Sequence, residues 1–370
     1  KILRCKKNPN SNSISTYKRY KEIVLKDISK KPDILPFHLE WIDIDSRLIG
    51  SIHELFFFLE NNYIEDEDSL FRFNYVHEFL KLAIQAPRWS PVFNLGLRIH
   101  GNRSLIGFIT SISRKLIFQD FFLSTSEINF LCLDRKFRKK RIVSSLIKEE
   151  TRRLNLVGTI QAIYTTGLPF SNSIVDCQFY HFPMNFSKLS KLGFRIFLEE
   201  IEKLNNWVPE KTEPLITNPW ILEIYKNFRK FYSKFKAYKF FDVENFKYWF
   251  KTIPGVLYGL GFKTISTNEK NAILFYSLPS KMIKSKKSRF LYSAYFYQGF
   301  TIGCVKNFYQ KVFEISYKLG FDMFNAFVGI LDIKFFSDLK FKRGTGKLQF
   351  HIFNWKYEKI KPEENGLFFF

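Results

Sequence analysis

Cysteine pairs and long apolar runs are missing from this chain. Its four cysteines lie far apart and form no CxxC pair, which argues against a zinc knot and against a disulfide scaffold. No run of about 18 apolar residues is present, so no transmembrane segment is expected. The N-terminus has no apolar signal core. Together these absences predict a cytoplasmic protein.

Acidic residues are also in short supply. The 370 residues include 35 Asp and Glu against 58 Lys and Arg, which gives a formal net charge of +23. This balance favours polyanionic partners: nucleic acid, an anionic membrane or a phosphorylated cofactor. Lys, Phe, Ile and Asn are, however, favoured together by coding DNA rich in A and T, so the charge alone does not identify a partner.

Hydrophobic periodicity and turn residues predict two α+β halves after a leader. Residues 1–16 are rich in Lys, Asn and Ser and are expected to form a basic, mobile leader. Residues 17–205 and 206–370 each combine antiparallel strands with strand–helix–strand units. The predicted helices are 53–59, 78–84, 145–154, 222–235, 243–250 and 307–319. The predicted strands are 95–99, 105–109, 128–133, 160–164, 272–276, 291–297, 324–327 and 348–353.

The most informative segment runs from an apolar strand through a basic turn into a helix. The strand Glu127–Leu133 precedes Arg138-Lys139-Lys140-Arg141, and Ser144 and Ser145 can help to cap the helix. Unpaired backbone N–H groups and the helix dipole would make this turn an anion site. Acyl-CoA transferases hold the CoA pyrophosphate in such a turn; the alternative is a solvated basic loop. The helix is expected to have an apolar face opposite a charged one. The apolar face comprises Ile142, Val143, Leu146, Ile147 and Leu154, and the charged face comprises Lys148, Glu149 and Arg152.

Four further features are candidates for substrate binding or catalysis. The acidic run Glu65-Asp66-Glu67-Asp68 suits a cationic peptide, or is a solvated loop. Thr165 ends a strand, where its hydroxyl would orient a nucleophile or cap a turn. His181 lies among aromatics, where a histidine is more often structural than catalytic. The chain ends in aromatic residues, and burial of their rings would bring the α-carboxylate of Phe370 inside as a base.

Taken together, these segments resemble the eukaryotic glycylpeptide N-myristoyltransferases. The resemblance runs from about Tyr17 to Phe370, nearly the whole chain, and its strength lies in the order and spacing of short motifs that are individually weak. The motifs are Asn62–Asp68 with Phe71-Arg72-Phe73, Glu127–Cys132, Thr151-Arg152-Arg153, Gln161–Thr165 with Gly167, Phe275–Ser280, Gly320–Ala326, Leu348-Gln349, Asn354-Trp355 and Gly366-Leu367.

The resemblance implies two pseudo-symmetric, acyl-CoA N-acyltransferase-like halves around a mixed, largely antiparallel sheet. The N-terminal half would bind myristoyl-CoA, the acyl donor, and the C-terminal half would bind most of a peptide that begins with glycine. The family has no prosthetic group, so myristoyl-CoA is a substrate. The residues that would line the CoA phosphates are Arg138, Lys139, Lys140, Arg141, Ile142 and Val143.

The resemblance also implies how the reaction proceeds, without a metal or a covalent enzyme intermediate. Backbone N–H groups of Phe130 and Leu131 would form the oxyanion hole. Thr165 would help to hold the substrate amine, and the carboxylate of Phe370 would act as the base. The acidic run and four other residues would contact the peptide, and a monomer without a stable nucleic-acid complex is expected. The peptide contacts are Glu65, Asp66, Asp68, Phe71, Phe73, His181 and Ser280.

Several positions depart from the family pattern. Lys139 stands where a smaller residue is frequent, and Val143-Ser144 replace Ala-Pro. Lys18-Arg19-Tyr20 replace a motif that carries Trp, and Phe179-Tyr180 replace Tyr-Trp. Thr345 stands where an Asp that contacts the substrate is common, so substrate preference after the glycine is expected to differ.

Two alternatives stay open at this point. One is a basic nucleic-acid-binding protein, motivated by the net charge and by the basic clusters at 135–141 and 281–289. The other is an acyl-CoA-binding relative that has lost catalysis, motivated by the departures from the family pattern.

Overall fold

The predicted α+β class is confirmed. The computed structural model describes residues 6–7, 27–36, 38–63, 71–101, 104–138, 141–167, 170, 172–194, 213–214, 221–263, 270–282, 290–301 and 305–369. Within these ranges, fifteen strands form one mixed sheet and three form a small antiparallel sheet. Three neighbouring pairs of these strands run parallel, and the other pairs run antiparallel.

The helices and strands have the following bounds. The α-helices are α1 (Ile49–Asn62), α2 (His77–Ile84), α3 (Ile142–Leu156), α4 (Phe186–Lys191), α5 (Ile221–Tyr232), α6 (Val243–Trp249), α7 (Val305–Lys318) and α8 (Ile333–Asp338). The strands are β1 (Lys6–Lys7), β2 (Leu39–Asp43), β3 (Phe71–Phe73), β4 (Asn94–Ile99), β5 (Leu105–Phe118), β6 (Phe121–Leu133), β7 (Gln161–Thr166), β8 (Val175–Pro183), β9 (Glu213–Pro214), β10 (Ala237–Phe240), β11 (Leu257–Lys263), β12 (Lys270–Ser277), β13 (Ser280–Met282), β14 (Phe290–Leu291), β15 (Ser293–Phe300), β16 (Met323–Phe327), β17 (Lys342–Phe353) and β18 (Asn365–Gly366).

The two halves repeat one topology. In the first half, β4, β5 and β6 pair antiparallel, and α3 then crosses to β7, which lies parallel to β6. In the second half, β11, β12 and β15 pair antiparallel, and α7 crosses to β16, which lies parallel to β15. A parallel pair requires such a crossover, because a tight turn can join only antiparallel neighbours.

Strands β17 and β18, near the C-terminal end, connect the sheets of the two halves. Strand β17 lies between β7 and β8, and β8 pairs in turn with β16. Strand β18 extends the sheet at β10, which pairs with β5. The last residues of the chain are therefore linked through β10 to the sheet of the first half, while Phe368 packs against Phe296 and Phe327 of the second half.

Most predicted elements occur, with different ends. The predicted strand 128–133 starts earlier, at Phe121, and the predicted helix 53–59 is part of the longer α1. The predicted loop 61–68 is wrong at its start, because Asn61 and Asn62 still belong to α1; residues 64–70 lie outside the described ranges. Gly320 follows α7 with a φ of 89°, as expected for a residue that ends a helix. Of the leader, only Lys6–Lys7 are described, and they pair with Phe121 and Phe122.

The prediction for α3 was wrong in two respects. Ser144 does not cap the helix: its hydroxyl donates to the carbonyl of Arg141, 2.5 Å away. Val143 and Ile147 are partly exposed, whereas Glu149 is fully buried. Glu149 can be buried because Arg152 and Arg153 contact its carboxylate at 2.7 and 2.9 Å.

Candidate active site

A β-bulge lies at Phe130 and Leu131. Strand β5 pairs Phe108 with Cys132 and Thr110 with Asn129, so Phe130 and Leu131 together face the single residue between Phe108 and Thr110. Phe130 has a φ of 54°, a left-handed conformation that is costly for a residue with a side chain. A bulge takes residues out of the ladder of hydrogen bonds. The peptide groups at this point can therefore turn toward a ligand.

The bulge faces a place where two strands diverge. Parallel pairing between β6 and β7 ends at Glu127 and Ile163, although both strands continue beyond these residues. Phe130 lies on the part of β6 that no longer pairs with β7. Thr165 lies on the part of β7 that no longer pairs with β6. The half-buried Thr165 pairs on its other side with Phe350 of β17. The structure thus places Phe130, Leu131 and Thr165 beside the opening between these strands.

The C-terminal segment reaches the same opening. Leu367, Phe368 and Phe369 are buried, which is the condition under which the carboxylate of Phe370 was expected to lie inside. The ring of Phe369 lies 5.5 Å from that of Phe350, the neighbour of Thr165 in the sheet. Phe370 itself lies outside the described residues, so the position of its carboxylate stays a prediction.

Asn365 and Gly366 set the path of the backbone at the start of the C-terminal segment. Its side-chain oxygen accepts from the backbone N–H of Leu367 at 3.1 Å. A Cβ at Gly366 would lie 3.0 Å from the ring of Phe235 and 3.1 Å from the carbonyl of Ala237. The backbone at Gly366 therefore passes closer to β10 than a larger residue would permit.

The basic turn opens α3 as predicted, but its members differ in role. Arg141 is the N-terminal flanking residue of α3, with a φ of 58°, and it makes no side-chain cap. The first N–H groups of α3 therefore lack a cap from Arg141 and face the basic turn. Arg138 instead donates to the backbone carbonyls of Leu133 and Asn62. Lys139 and Lys140 lie outside the described residues, and Ile142 and Val143 begin the helix with partly exposed side chains.

Three predicted peptide contacts lie together. Phe73 and Ser280 are paired residues of β3 and β13, and Ser280 is buried. The ring of Phe73 lies 6.3 Å from that of Tyr295, which pairs with Asn325 between β15 and β16. Asn325 in turn contacts His181 Nδ1 at 2.7 Å. For Phe71 only the backbone, in β3, is described, and Glu65, Asp66 and Asp68 lie outside the described residues.

Tyr295 and Asn325 were missed as site residues by sequence reasoning. Both lie in apolar strands, where a polar atom gives little signal before its partner is known. Burial lowers the pKa of His181, and the hydrogen bond with Asn325 partly opposes this. His181 is therefore neutral at pH 7, which suits a hydrogen-bonding role better than a charged one.

Gly344 is a further residue that the sequence did not identify. A Cβ there would lie 2.3 Å from His181 Nε2. The side-chain amide of Gln178 donates to the carbonyls of Gly344 and Gly346, at 2.9 and 2.8 Å. These bonds hold the irregular part of β17, and with it Thr345, beside His181.

A buried ion cluster lies beside the bulge, and no local sequence pattern indicated it. Glu127 Oε2 lies 2.6 Å from Arg114 Nε and 2.8 Å from Lys239 Nζ, with all three side chains buried. Burial disfavours the charged form of Glu127, but Lys239 and Arg114 outweigh it and hold the pKa of Glu127 at about 2. Glu127 is therefore an ion-pair partner and a very weak base.

The thiol next to the bulge is unreactive. Burial raises the pKa of Cys132 to about 12. A thiol with this pKa is almost entirely protonated at pH 7, and the thiolate is the nucleophilic form. Cys132 is therefore unsuited to carry an acyl group.

The described residues also bear on metal sites and membrane spans. Within them, no group of three or more His, Cys, Asp or Glu side chains is arranged to hold a metal ion. Among the helices described, none has the length and apolar character needed to cross a membrane.

Comparisons with known proteins agree over both halves. The model of the family "Myristoyl-CoA:protein N-myristoyltransferase, N-terminal domain" matches residues 20–177, and that of the C-terminal domain matches residues 208–366. A glycylpeptide N-tetradecanoyltransferase of Plasmodium falciparum is 31% identical, with 93% of this chain and 86% of the relative covered. One of Dictyostelium discoideum is 33% identical, with the same two coverages.

A solved structure gives the same result. The Saccharomyces cerevisiae N-myristoyltransferase, crystallised with bound myristoyl-CoA, superposes with a TM-score of 0.86 at 27% identity. The superposition covers 95% of this chain and 88% of the yeast chain. The chain therefore belongs to the myristoyl-CoA:protein N-myristoyltransferase family and is an acyltransferase.

Proposed function

We propose that this protein transfers myristate from myristoyl-CoA to the N-terminal glycine amine of peptides and proteins. The observation that carries the proposal is the meeting of three features at one opening: the bulge at Phe130 and Leu131, Thr165, and the buried C-terminal segment. The yeast relative has been crystallised with bound myristoyl-CoA. Residues 17–205 would bind the acyl donor, and residues 206–370 most of the peptide.

The bulge supplies the oxyanion hole in this proposal. Backbone N–H groups of Phe130 and Leu131 would donate to the thioester oxygen as negative charge develops on it. One such donor is typically worth about 3 kcal/mol of transition-state stabilisation. The ring of Tyr63 lies 5.7 Å from that of Phe130, and the backbone of Phe130 partly opposes the rise in the pKa of Tyr63 that burial causes. The thioester oxygen would interact with this backbone when the donor binds.

The α-carboxylate of Phe370 would accept the proton from the glycine amine, which Thr165 helps to hold. The glycine amine has a pKa of about 8, so roughly a tenth of the peptide already carries the free amine at pH 7. Desolvation would raise the pKa of the carboxylate and make it a better base. The nearby Glu127 is a poor alternative, because its carboxylate is already bound by Arg114, Lys239 and Asn129.

Transfer would occur directly from thioester to amine, since Cys132 is unsuited to carry an acyl group. The CoA phosphates would lie at the start of α3. The residues proposed to line them are Arg138, Lys139, Lys140, Arg141, Ile142 and Val143. Arg138 would act there mainly by fixing the turn, because its guanidinium is bound to backbone carbonyls.

The peptide would lie along Phe73, Ser280 and His181, which the structure brings together, with Phe71 beside them. Its basic residues would meet the acidic run Glu65, Asp66 and Asp68. Only glycine would fit at the amine, because any Cβ would collide in a crowded approach to the thioester.

The experiment measures release of CoA thiol by the untagged protein, in the presence of a Gly-initiated octapeptide. Deleting Phe370, or adding two glycines after it, should lower kcat by a factor of about 10²–10⁴, the range expected for loss of a positioned base. The affinity for myristoyl-CoA should change little. Phe370→Leu is the matched control, because it changes the side chain and keeps the terminal carboxylate in place.

Two results would contradict parts of the proposal. Full activity with the added glycines would exclude the carboxylate as the base while leaving the transferase intact. Tight myristoyl-CoA binding by the unmodified protein without peptide-dependent release would indicate an acyl-CoA-binding relative that has lost catalysis.

A further inference from the structure

We infer that Arg114, Glu127 and Lys239 form a positioning network, which couples the C-terminal segment to the strand that carries the bulge. The inference rests on the proposed function insofar as it concerns the rate of transfer. It assigns to Lys239 a role in holding the last residues of the chain, and to Glu127 a role in holding the start of the bulge.

One arm of the network leads to the bulge. Glu127 Oε1 accepts from the side-chain amide of Asn129, 3.2 Å away. Asn129 immediately precedes Phe130, the residue with the left-handed backbone. Glu127 Oε2 is bound at the same time by Arg114 on β5, the strand opposite. The carboxylate thus joins both strands that form the bulge.

The other arm leads to the C-terminal segment. Lys239 Nζ lies 2.8 Å from Glu127 Oε2 and 4.4 Å from the ring centroid of Phe369. The backbone of β10, which carries Lys239, pairs in parallel with Asn365 and Gly366. Lys239 thus contacts both Glu127 and Phe369. A cation–π contact is strongest where, as here, the cation is removed from water.

Stability alone does not account for three buried ions. Taking charges out of water is costly, and replacing a buried ion cluster with apolar residues is often neutral or stabilising. Two cations face one anion, so the network keeps a net positive charge beside the end of the chain. Arg114 also lies over the ring of Trp249, with Cζ 4.2 Å from the centroid. Each member is thus held by at least two contacts, as precise placement of neighbouring groups requires.

The test compares Lys239→Met with Lys115→Met in the full-length, untagged protein. Lys239→Met keeps an unbranched side chain, one atom shorter than that of lysine, and leaves Glu127 paired with Arg114, so the protein should fold. Lys115 follows Arg114 on β5, so its side chain points to the other face of the sheet; it is partly exposed and lies 3.6 Å from Asp242. Hydrogen exchange is followed in residues 365–369, with α3 as the internal reference, and kcat and KM are measured for transfer.

Lys239→Met should speed exchange in residues 365–369 by about tenfold, the effect of losing one desolvated cation–π contact. It should lower kcat by a similar factor and leave the KM for myristoyl-CoA within about twofold. Phe369→Leu should share these effects, and the double variant should be no worse than either single one. Lys115→Met should behave as the unmodified protein.

Each other outcome has a distinct meaning. If Lys239→Met exchanges and turns over like Lys115→Met, the network has no positioning role. If it speeds exchange in α3 as much as in residues 365–369, the network is purely structural. If the effects of Lys239→Met and Phe369→Leu multiply, they do not act through their contact. If the unmodified protein transfers no acyl group, the proposed function fails, while hydrogen exchange still decides whether the network holds the C-terminal segment.

Discussion

Substitution of Gly344 by alanine tests the packing at His181. The new Cβ would lie 2.3 Å from His181 Nε2, 2.9 Å from Cδ2 and 3.3 Å from the carbonyl of Phe179. The imidazole must therefore move. It is held on its other side by Asn325, so its displacement breaks that hydrogen bond as well.

The two costs can be estimated. Loss of the hydrogen bond costs about 1 kcal/mol, and overpacking costs about 1–3 kcal/mol when the surroundings cannot relax. We expect Gly344→Ala to lower the free energy of unfolding by about 2–4 kcal/mol. Because His181 lies on the proposed peptide path, the KM for a Gly-initiated peptide should rise by about tenfold. The affinity for myristoyl-CoA should stay unchanged.

Gly346→Ala is a matched control two residues away. Its Cβ would meet only the ring of Phe179, at 3.8 Å, which is ordinary van der Waals contact. Neither glycine has a positive φ, so backbone strain does not separate the two variants. Urea unfolding and peptide kinetics measure both effects. If Gly344→Ala unfolds at the same urea concentration as Gly346→Ala and keeps its KM, the packing argument is wrong.

Other perturbations have equally definite outcomes. Burial raises the pKa of Glu150 to about 8. The folded protein therefore favours the protonated carboxyl group, and this contribution to the free energy of unfolding is complete below about pH 4.5 and is lost as the pH rises through 8. Glu150→Gln should therefore stabilise the protein by about 2 kcal/mol at pH 9 and far less at pH 5 in urea unfolding; equal effects at both pH values would contradict the burial argument. Glu149→Gln should destabilise instead at pH 7, because Arg152 and Arg153 would lose their partner; an unchanged urea midpoint would refute this. Arg141→Gln should weaken myristoyl-CoA binding, measured by calorimetry, by about fivefold at low salt and by less at high salt. A loss of affinity that does not depend on salt would mean that Arg141 does not act through its charge.

Local patterns in the sequence predicted what depends on neighbouring residues. The period of the apolar residues identified α3 and α7, and the glycine after α7 identified its end. The aromatic end of the chain identified the segment whose burial decides where the terminal carboxylate lies, because apolar residues are unusual at a terminus. These features need no knowledge of distant partners.

Features that depend on distant pairing could not be predicted in the same way. The bulge at Phe130 exists because β5 and β6 pair with a shifted register, which neither strand specifies alone. Lys239 is more than a hundred residues from Glu127, and its strand has the composition of an ordinary half-exposed strand. Glu149 was expected on the solvent face of α3, and it is buried because two arginines on the same helix neutralise it.

Release of CoA thiol from myristoyl-CoA tests the central claim most directly. The untagged protein is given myristoyl-CoA with an octapeptide that begins with glycine, and in parallel with the same peptide beginning with alanine. We predict thiol release with the glycine peptide, accompanied by a peptide heavier by one myristoyl group, and almost none with the alanine peptide. Equal release with both peptides, or none with either, would contradict transfer to an N-terminal glycine.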